Sequence, residues 1–220
     1  MTRPRSRPLL LGHRGARALK SIPENTVASF DQALVDGCDG FEFDVRLTAD
    51  GIPLVCHDPQ TRSIEIAHSS ADQLSALPQL QDVLARYHDR AFLDIELKVS
   101  GLERIAITLL LDYPPRRGFV VSSFLPEVLR AAHVLDASIP LGLICETKAE
   151  LRSWSDLAID YLIPHYKLLD SALVSEIRAA DKKILVWTVN TPADMKRFAL
   201  LGVDGIISDN TSLLCHTLSV

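Results

Sequence analysis

The chain contains an alternating stretch at residues 40–46, Gly40-Phe41-Glu42-Phe43-Asp44-Val45-Arg46. In an extended strand successive side chains point to opposite faces, so Glu42 and Asp44 project together while Phe41 and Phe43 project the other way. The stretch is therefore predicted to be a strand that has one strongly apolar face. Its other face presents two carboxylates side by side.

A second run, Phe92-Leu93-Asp94-Ile95-Glu96-Leu97-Lys98, places Asp94, Glu96 and Lys98 on one face in the same way. Two interpretations compete at this point. The charged faces belong either to ordinary amphipathic strands in contact with water or to an oxygen-ligand site for a hard divalent cation. Strand patterning alone favours the first.

Short apolar runs alternate with helical patterns along the whole chain. Eight strands are predicted, at residues 8–12, 40–47, 91–98, 118–122, 141–145, 161–163, 184–189 and 205–208. Eight helices are predicted, at residues 24–36, 80–88, 102–111, 126–135, 148–157, 171–180, 192–201 and 211–218. A strand followed by a helix, eight times over, is typical of a (β/α)8 TIM barrel in the α/β class. An open doubly wound sheet is the alternative, but no G-x-G-x-x-G follows the first strand.

One irregularity interrupts this repeat after the second barrel strand. Asp50-Gly51 is a turn dipeptide, and residues 52–56 form a further short strand that ends at His57-Asp58. We expect a small insertion at about residues 48–77 within a single barrel domain that spans residues 1–220.

Bulk composition excludes several classes of protein. With 47% hydrophobic and 23% charged residues, the chain has globular composition, and a net charge of -5 provides no basic surface for nucleic acid. No apolar window reaches the length of a membrane span. Residues 1–7 carry three arginines, but the apolar run that follows is too short for a signal peptide, so a cytoplasmic location is expected. The four cysteines are scattered without metal-binding spacing.

The barrel prediction gives the charged side chains a location. Catalytic groups of such barrels lie at the carboxyl ends of the strands, and His13, Glu42, Asp44, Glu96 and Lys98 fall at or near those ends. A solvated sheet face does not account for charged residues that point into a barrel, so the cation-site interpretation becomes the favoured one.

Eight short motifs also occur in order along the chain. They are His13-Arg14-Gly15-Ala16, Pro23-Glu24-Asn25-Thr26, the 41–45 strand, Thr48-Ala49-Asp50-Gly51 with His57-Asp58, Glu96-Leu97-Lys98, Ser122-Ser123-Phe124, Trp187-Thr188-Val189-Asn190 and residues 202–209. Together they resemble the glycerophosphodiester phosphodiesterase family, and the likeness extends from residue 10 to residue 209.

This resemblance implies an enzyme, a phosphoric diester hydrolase, with one divalent cation at the mouth of a (β/α)8 barrel. The residues that match the metal ligands of the family are Glu42, Asp44 and Glu96. Those that match its general acid and base are His13 and His57. Those that match its substrate contacts are Arg14 and Lys98 at the phosphate and Trp187 beside the glycerol. The implied substrate is a glycerophosphodiester, cleaved to glycerol 3-phosphate and an alcohol. An all-oxygen ligand set suits Mg²⁺ or Ca²⁺ better than Zn²⁺.

Several alternatives stay open. The same centre could cleave lysolipids, as a lysophospholipase D does, or the barrel could bind phosphodiesters without turnover. The sequence does not decide the alcohol, the choice between Mg²⁺ and Ca²⁺, the nucleophile (water or a glycerol hydroxyl) or the oligomeric state. Three acidic neighbours also have expected places. Asp94 supports the site from deeper in the barrel, Glu24 lies beside His13 or in the first helical turn, and Asp58 either orients His57 or starts a turn with Pro59.

Overall fold

The computed structural model describes residues 7–218. The strands are β1 Leu9–His13, β2 Gly40–Leu47, β3 Pro53–Val55, β4 Gln60–Thr61, β5 Ile64–Glu65, β6 Phe92–Leu97, β7 Phe119–Ser123, β8 Leu141–Cys145, β9 Tyr161–Pro164, β10 Lys183–Val186 and β11 Gly205–Ser208. The helices are α1 Val27–Val35, α2 Leu80–Tyr87, α3 Glu103–Asp112, α4 Pro126–Leu135, α5 Lys148–Leu151, α6 Ser171–Ala179, α7 Pro192–Leu201 and α8 Thr211–Leu218. Of the basic stretch 1–7, only residue 7 lies within the described residues.

Eight of these strands close into a parallel barrel. The order β1-β2-β6-β7-β8-β9-β10-β11 returns to β1, because β1 pairs in parallel with both β2 and β11. Each barrel strand is followed by a helix. The first seven helices each lead to the next barrel strand, and α8 follows the last strand, β11. The predicted (β/α)8 barrel is confirmed, and the open doubly wound sheet is wrong.

The close approach of β2 and β6 requires a glycine at the start of β2. A Cβ atom at Gly40 would lie 1.8 Å from the backbone oxygen of Phe92. Because glycine has no Cβ atom, the two strands can approach this closely. β2 and β6 pair along six residues, and Asp44 lies opposite Glu96 in the register. The pairing therefore aligns the two acidic strands.

The segment after β2 departs from the repeat. β3 pairs antiparallel with the end of β2, with Val45 opposite Val55. A small hairpin of β4 and β5 follows, and two turns of 3-10 helix at residues 66–68 and 72–74 lead to α2. The predicted extra strand is present, two residues shorter than residues 52–56.

An aromatic cluster covers the outer face of β2. Phe30 of α1 stacks on Phe41 with ring centroids 4.2 Å apart, and Tyr87 of α2 meets Phe41 edge-on at 5.0 Å. All three side chains are fully buried. Because burying these rings is strongly favourable, the strand has one stable orientation, in which Glu42 and Asp44 face the barrel interior.

We expect Phe41→Ala to lower the free energy of unfolding by about 3–5 kcal/mol, because it removes a large side chain from a packed core. The measurement is urea unfolding followed by circular dichroism. Leu200→Ala is the control: this side chain is 89% exposed, and its loss should change the free energy of unfolding by less than about 0.5 kcal/mol. A Phe41→Ala effect as small as that of Leu200→Ala would contradict this account of the strand's orientation.

Three predicted boundaries are corrected. The helix expected at residues 148–157 is only one turn long and gives way to a 3-10 turn at residues 154–156. The strand expected to reach residue 189 ends at Val186, so Trp187 follows the strand. The first helix begins at Val27, capped by the Thr26 side chain, so Glu24 precedes it and is not a first-turn carboxylate. None of the helices within residues 7–218 combines the length and apolar character needed to cross a bilayer.

Candidate active site

Three buried carboxylates converge at the carboxyl ends of β2 and β6. Glu42, Asp44 and Glu96 each offer an oxygen, and these oxygens all lie within 4.8 Å of one another. Their exposed fractions are 4%, 1% and 7%. This spacing allows one small cation to contact all three side chains.

The hydrogen bonding of the cluster fits such an ion. Within residues 7–218, Glu42 Oε1 and Asp44 Oδ1 are buried and accept no hydrogen bond. Lys98 Nζ does lie 3.2 Å from Asp44 Oδ1, but as an ion pair without hydrogen-bond geometry. Buried polar atoms normally have a partner, so oxygens left without one are the ligands that a hard cation would satisfy.

The pKa shifts of the three carboxylates also favour a bound cation. Burial, together with the charges of Asp44 and Glu96, raises the pKa of Glu42 well above its usual range. Burial and the charge of Asp44 raise the pKa of Glu96 to about 7. Burial also disfavours ionisation of Asp44, but the charges of Lys98 and Arg14 outweigh it and lower the pKa of that carboxyl. Crowded carboxylates of this kind resist simultaneous ionisation, and a bound cation would relieve their repulsion.

Two positively charged side chains, Lys98 and Arg14, lie beside the carboxylates. Lys98 Nζ lies 2.5 Å from Glu96 Oε1, and Arg14 Nε lies 3.2 Å from Asp44 Oδ2. The left-handed backbone of Arg14, at φ 51°, turns the chain sharply after β1 and directs its backbone N–H toward Glu42 Oε2 at 3.0 Å. Arg14 thus contributes to the site through both its backbone and its guanidinium group.

His13 ends β1 and is held from behind by Asp209. Its Nδ1 donates to Asp209 Oδ1 over 2.7 Å, so its Nε2 is directed toward Glu42, 3.8 Å away. Burial lowers the pKa of His13, although the hydrogen bond to Asp209 acts in the opposite direction. Asp209 in turn is bound by Arg17 at 3.1 Å and by Asn190 at 2.7 Å.

His57 approaches the same cavity from the inserted segment. Its Nδ1 donates to Asp58 Oδ1 over 2.8 Å, which matches the place expected for Asp58. Arg46 Nε donates to the backbone oxygen of His57 at 2.7 Å and ties this loop to β2. The side chain of His57 remains about one third exposed, at 34%.

The cavity in front of the carboxylates has a volume of about 300 Å³. Its charged part is lined by His13, Arg14, Glu42, His57, Asp94, Glu96, Lys98 and Glu146. Its remaining wall is apolar and is lined by Phe124, Ile144, Ile163, Trp187 and Ile207. An anion with a small carbon skeleton matches such a divided surface.

The eight residues singled out from the sequence meet at this cavity. Seven line it, and Asp44 lies directly behind them in the carboxylate cluster. Asp94 lines the cavity from β6 and accepts a hydrogen bond from Ser122. Glu24 forms no hydrogen bond or ion pair with His13 among the described residues, and instead pairs with Arg14 and Arg17 at 2.7 Å.

Two residues of the site were given no role by sequence reasoning. Asp209 supports His13, and Asn25 donates from Nδ2 to Asp44 Oδ2 at 2.8 Å. Both stand inside motifs quoted above, yet nothing in their local pattern distinguishes them from turn residues. Their partners lie 196 and 19 residues away, and only the closed barrel brings them together.

A family model described as the glycerophosphoryl diester phosphodiesterase family matches residues 13–69 and 64–213 of this chain. A glycerophosphodiester phosphodiesterase of Caldanaerobacter subterraneus subsp. tengcongensis is 28% identical over 94% of this chain and 96% of its own. A glycerophosphodiester phosphodiesterase of Bacillus subtilis is also 28% identical, over 94% of this chain and 85% of its own.

Solved structures agree with the architecture. The crystal structure of a putative glycerophosphoryl diester phosphodiesterase from Silicibacter pomeroyi superposes with a TM-score of 0.88 at 22% identity, over 97% of this chain and 94% of that one. A phosphodiesterase from Oleispira antarctica, solved in complex with the product sn-glycerol-3-phosphate, superposes with a TM-score of 0.84 at 26% identity, over 97% and 98%.

Proposed function

Since this chain belongs to the glycerophosphoryl diester phosphodiesterase family and is thereby a phosphoric diester hydrolase, we propose that it cleaves glycerophosphodiesters to glycerol 3-phosphate and an alcohol. The proposal extends to how the reaction is carried out. Glu42, Asp44 and Glu96 hold one divalent cation, and His13 and His57 share the proton transfers. One observation carries it: Glu42, Asp44 and Glu96 each offer an oxygen within 4.8 Å of the other two, and this cluster borders the cavity that both histidines line.

The carboxylate oxygens suit Mg²⁺ or Ca²⁺, which prefer oxygen ligands. When bound, such an ion polarises a phosphoryl oxygen and lowers the pKa of a hydroxyl group. Three ionised carboxylates outweigh one divalent ion, so the ion and its ligands alone would repel an anionic diester. Arg14 and Lys98 reverse this balance, and both line the cavity, where their N–H groups would bind the non-bridging phosphate oxygens.

The two histidines divide the proton work. His13 removes the proton of the nucleophile as the new P–O bond forms. Attack by water gives glycerol 3-phosphate directly, whereas attack by a glycerol hydroxyl gives a cyclic glycerol phosphate, whose ring water must then open to give glycerol 3-phosphate. As the P–O bond to the alcohol breaks, His57 donates a proton to the departing oxygen, so that a neutral alcohol leaves. Asp209 and Asp58 accept from the Nδ1 atoms of these histidines and thereby fix which nitrogen of each ring faces the substrate.

The test is an assay of the purified protein against a panel of glycerophosphodiesters, with release of glycerol 3-phosphate as the readout. Activity should disappear with EDTA and return with Mg²⁺ or Ca²⁺. Full activity after exhaustive chelation would contradict the metal site. Binding of the diesters without release of product would make the chain a binding barrel.

Soluble diesters are favoured over lysolipids by the surface around the mouth. Among the exposed large apolar residues of the described chain, Leu19 in the loop after β1 and Ile64 in the β4–β5 hairpin lie on this side and are about two fifths exposed. The others end helices on the opposite side, at Val35, Leu111, Val134, Leu135 and Leu200. Two separate side chains do not form the contiguous apolar patch that a lipid surface requires.

Removing the support of His13 should slow turnover without weakening binding. We expect Asp209→Asn to lower kcat by about tenfold to a hundredfold, because an amide no longer stabilises the imidazolium that forms on His13. KM should change less than about twofold, since Asp209 does not line the substrate cavity. Steady-state kinetics check both values, and an unchanged melting temperature excludes unfolding. A rise in KM with unchanged kcat would contradict this role.

A further inference from the structure

We propose that the alcohol of the diester occupies a second groove beyond His57, and that Arg62 at its rim selects uncharged or anionic alcohols over quaternary ammonium alcohols. This inference rests on the proposed phosphodiesterase function. The groove has a volume of about 400 Å³ and lies between the start of α1 and the inserted segment.

A phosphodiester carries two ester substituents, here called the glycerol arm and the alcohol arm. When the phosphate lies at the carboxylates, each arm requires a space of its own. The first is the cavity in front of Phe124 and Trp187, enclosed by the barrel strands. The second is the groove, and His57 is the one residue that lines both spaces. A chain of atoms that leaves the phosphate toward the groove therefore passes His57.

The position of His57 indicates which arm takes the groove. A leaving alkoxide requires a proton donor within hydrogen-bond reach, and His57 stands at the entrance that this arm would cross. The glycerol arm is the same in every substrate of the class, so it suits the enclosed cavity. The alcohol arm varies in size, and the groove, whose rim residues are exposed, accommodates that variation.

The groove combines an apolar floor with a polar rim. Val55, Leu74 and Leu77 form the floor, and the exposed residues Gln60, Arg62 and Gln73 form the rim. In contrast to the first cavity, its lining includes no aromatic side chain other than His57. A quaternary ammonium group would therefore find no aromatic face of the kind that binds such cations well.

The charges along the groove oppose a cationic alcohol. Both oxygens of Glu24 are occupied by Arg14 and Arg17. Asp58 is paired with His57, and this pair carries no net charge while His57 holds the proton that it donates to the leaving oxygen. Arg62 is exposed at the tip of the β4–β5 hairpin and forms no ion pair with any part of the chain that the structure describes. The charged group of the groove that has no ion-pair partner is therefore the guanidinium group of Arg62, which is positive.

The first test compares two diesters that differ only in charge. One is glycerophosphocholine, and the other is its neutral isostere, in which carbon replaces the quaternary nitrogen. We expect kcat/KM to favour the neutral diester by about threefold to tenfold, and Arg62→Gln to bring this ratio close to one. Arg117→Gln is the matched control: it makes the same charge change on the opposite side of the barrel, before β7, and should leave the ratio unchanged.

The second test fills the groove without touching the core. Ala76 is exposed and lines the groove, so Ala76→Trp should lower kcat/KM for glycerophosphoinositol by about tenfold or more. The glycerophosphomethyl ester, whose alcohol is too small to enter the groove, should be cleaved within about twofold of the wild-type rate. Ala179→Trp, at the exposed end of α6, is the control and should leave both rates unchanged.

These measurements distinguish failure of the groove from failure of the proposed phosphodiesterase activity. Loss of inositol-diester cleavage alone supports the groove, while equal loss with both diesters overturns it. A wild-type preference for the choline diester, or a ratio unaffected by Arg62→Gln, overturns the role of Arg62. If no diester is cleaved, including the methyl ester, the proposed function itself is wrong.

Discussion

Glu96→Gln is expected to lower kcat/KM by about a thousandfold at saturating Mg²⁺, and Asp44→Asn by a similar factor. In the proposed mechanism each variant loses a charged metal ligand. The bound ion would lower the free energy of the transition state by several kcal/mol, and each 1.4 kcal/mol corresponds to about a factor of ten in rate. The amide variants keep the shape of the side chain, so the loss reports on charge and metal binding.

Asp94→Asn provides the matched control for this prediction. Asp94 lies on the same strand as Glu96, two residues earlier, and its side chain is fully buried. Burial raises its pKa to about 7, and it is not one of the three converging carboxylates. We expect its replacement to cost less than about tenfold in kcat/KM. Calorimetric titration with Mg²⁺ and Ca²⁺ should show weakened binding for Glu96→Gln and Asp44→Asn but not for Asp94→Asn. Equal losses for Glu96→Gln and Asp94→Asn would mean that no particular carboxylate holds the ion.

His57→Ala and His13→Ala are each expected to lower kcat by about 10²–10⁴-fold with a natural diester. Their behaviour should diverge when the alcohol is replaced by p-nitrophenol, which leaves readily without a proton. His57→Ala should then recover most of the lost rate, because only the proton donor has been removed. His13→Ala should stay slow, because the nucleophile still requires a base.

His68→Ala is the control for the histidine variants. His68 lies in the same inserted segment, its side chain is 79% exposed, and it pairs with Glu65. Its replacement should change kcat by less than about twofold. Recovery by His13→Ala in place of His57→Ala would reverse the assigned roles and would also move the alcohol away from the groove.

Much of the fold could be predicted from local pattern. The alternation in residues 40–46 indicates a strand with a definite inner and outer face, and the aromatic cluster around Phe41 shows why that orientation holds. Boundaries were less accurate where helices are short. At residues 148–157 a capping box starts α5 at Thr147, but no residue of this single turn is buried, so the helix gains little from packing.

The residues of the candidate site also differ in whether the sequence could predict them. Carboxylates, histidines and cations at strand ends could be found because a parallel barrel gathers the ends of all its strands at one mouth. The role of Asp209 could not be predicted from the sequence, because its hydrogen bond with His13 forms only when β11 pairs with β1. The ion pairs of Glu24 with Arg14 and Arg17 also depend on how the β1–α1 loop folds, and no periodicity encodes that path.

By itself, the sequence determined the strand and helix repeat, the inward face of β2 and the residue types at the mouth, because these depend on side-chain alternation and on short-range propensities. Only the tertiary structure decided that Glu42, Asp44 and Glu96 lie within 4.8 Å of one another, and that His57 separates two spaces. Such distances are set by the register between strands and by loop packing, which join residues far apart in the chain.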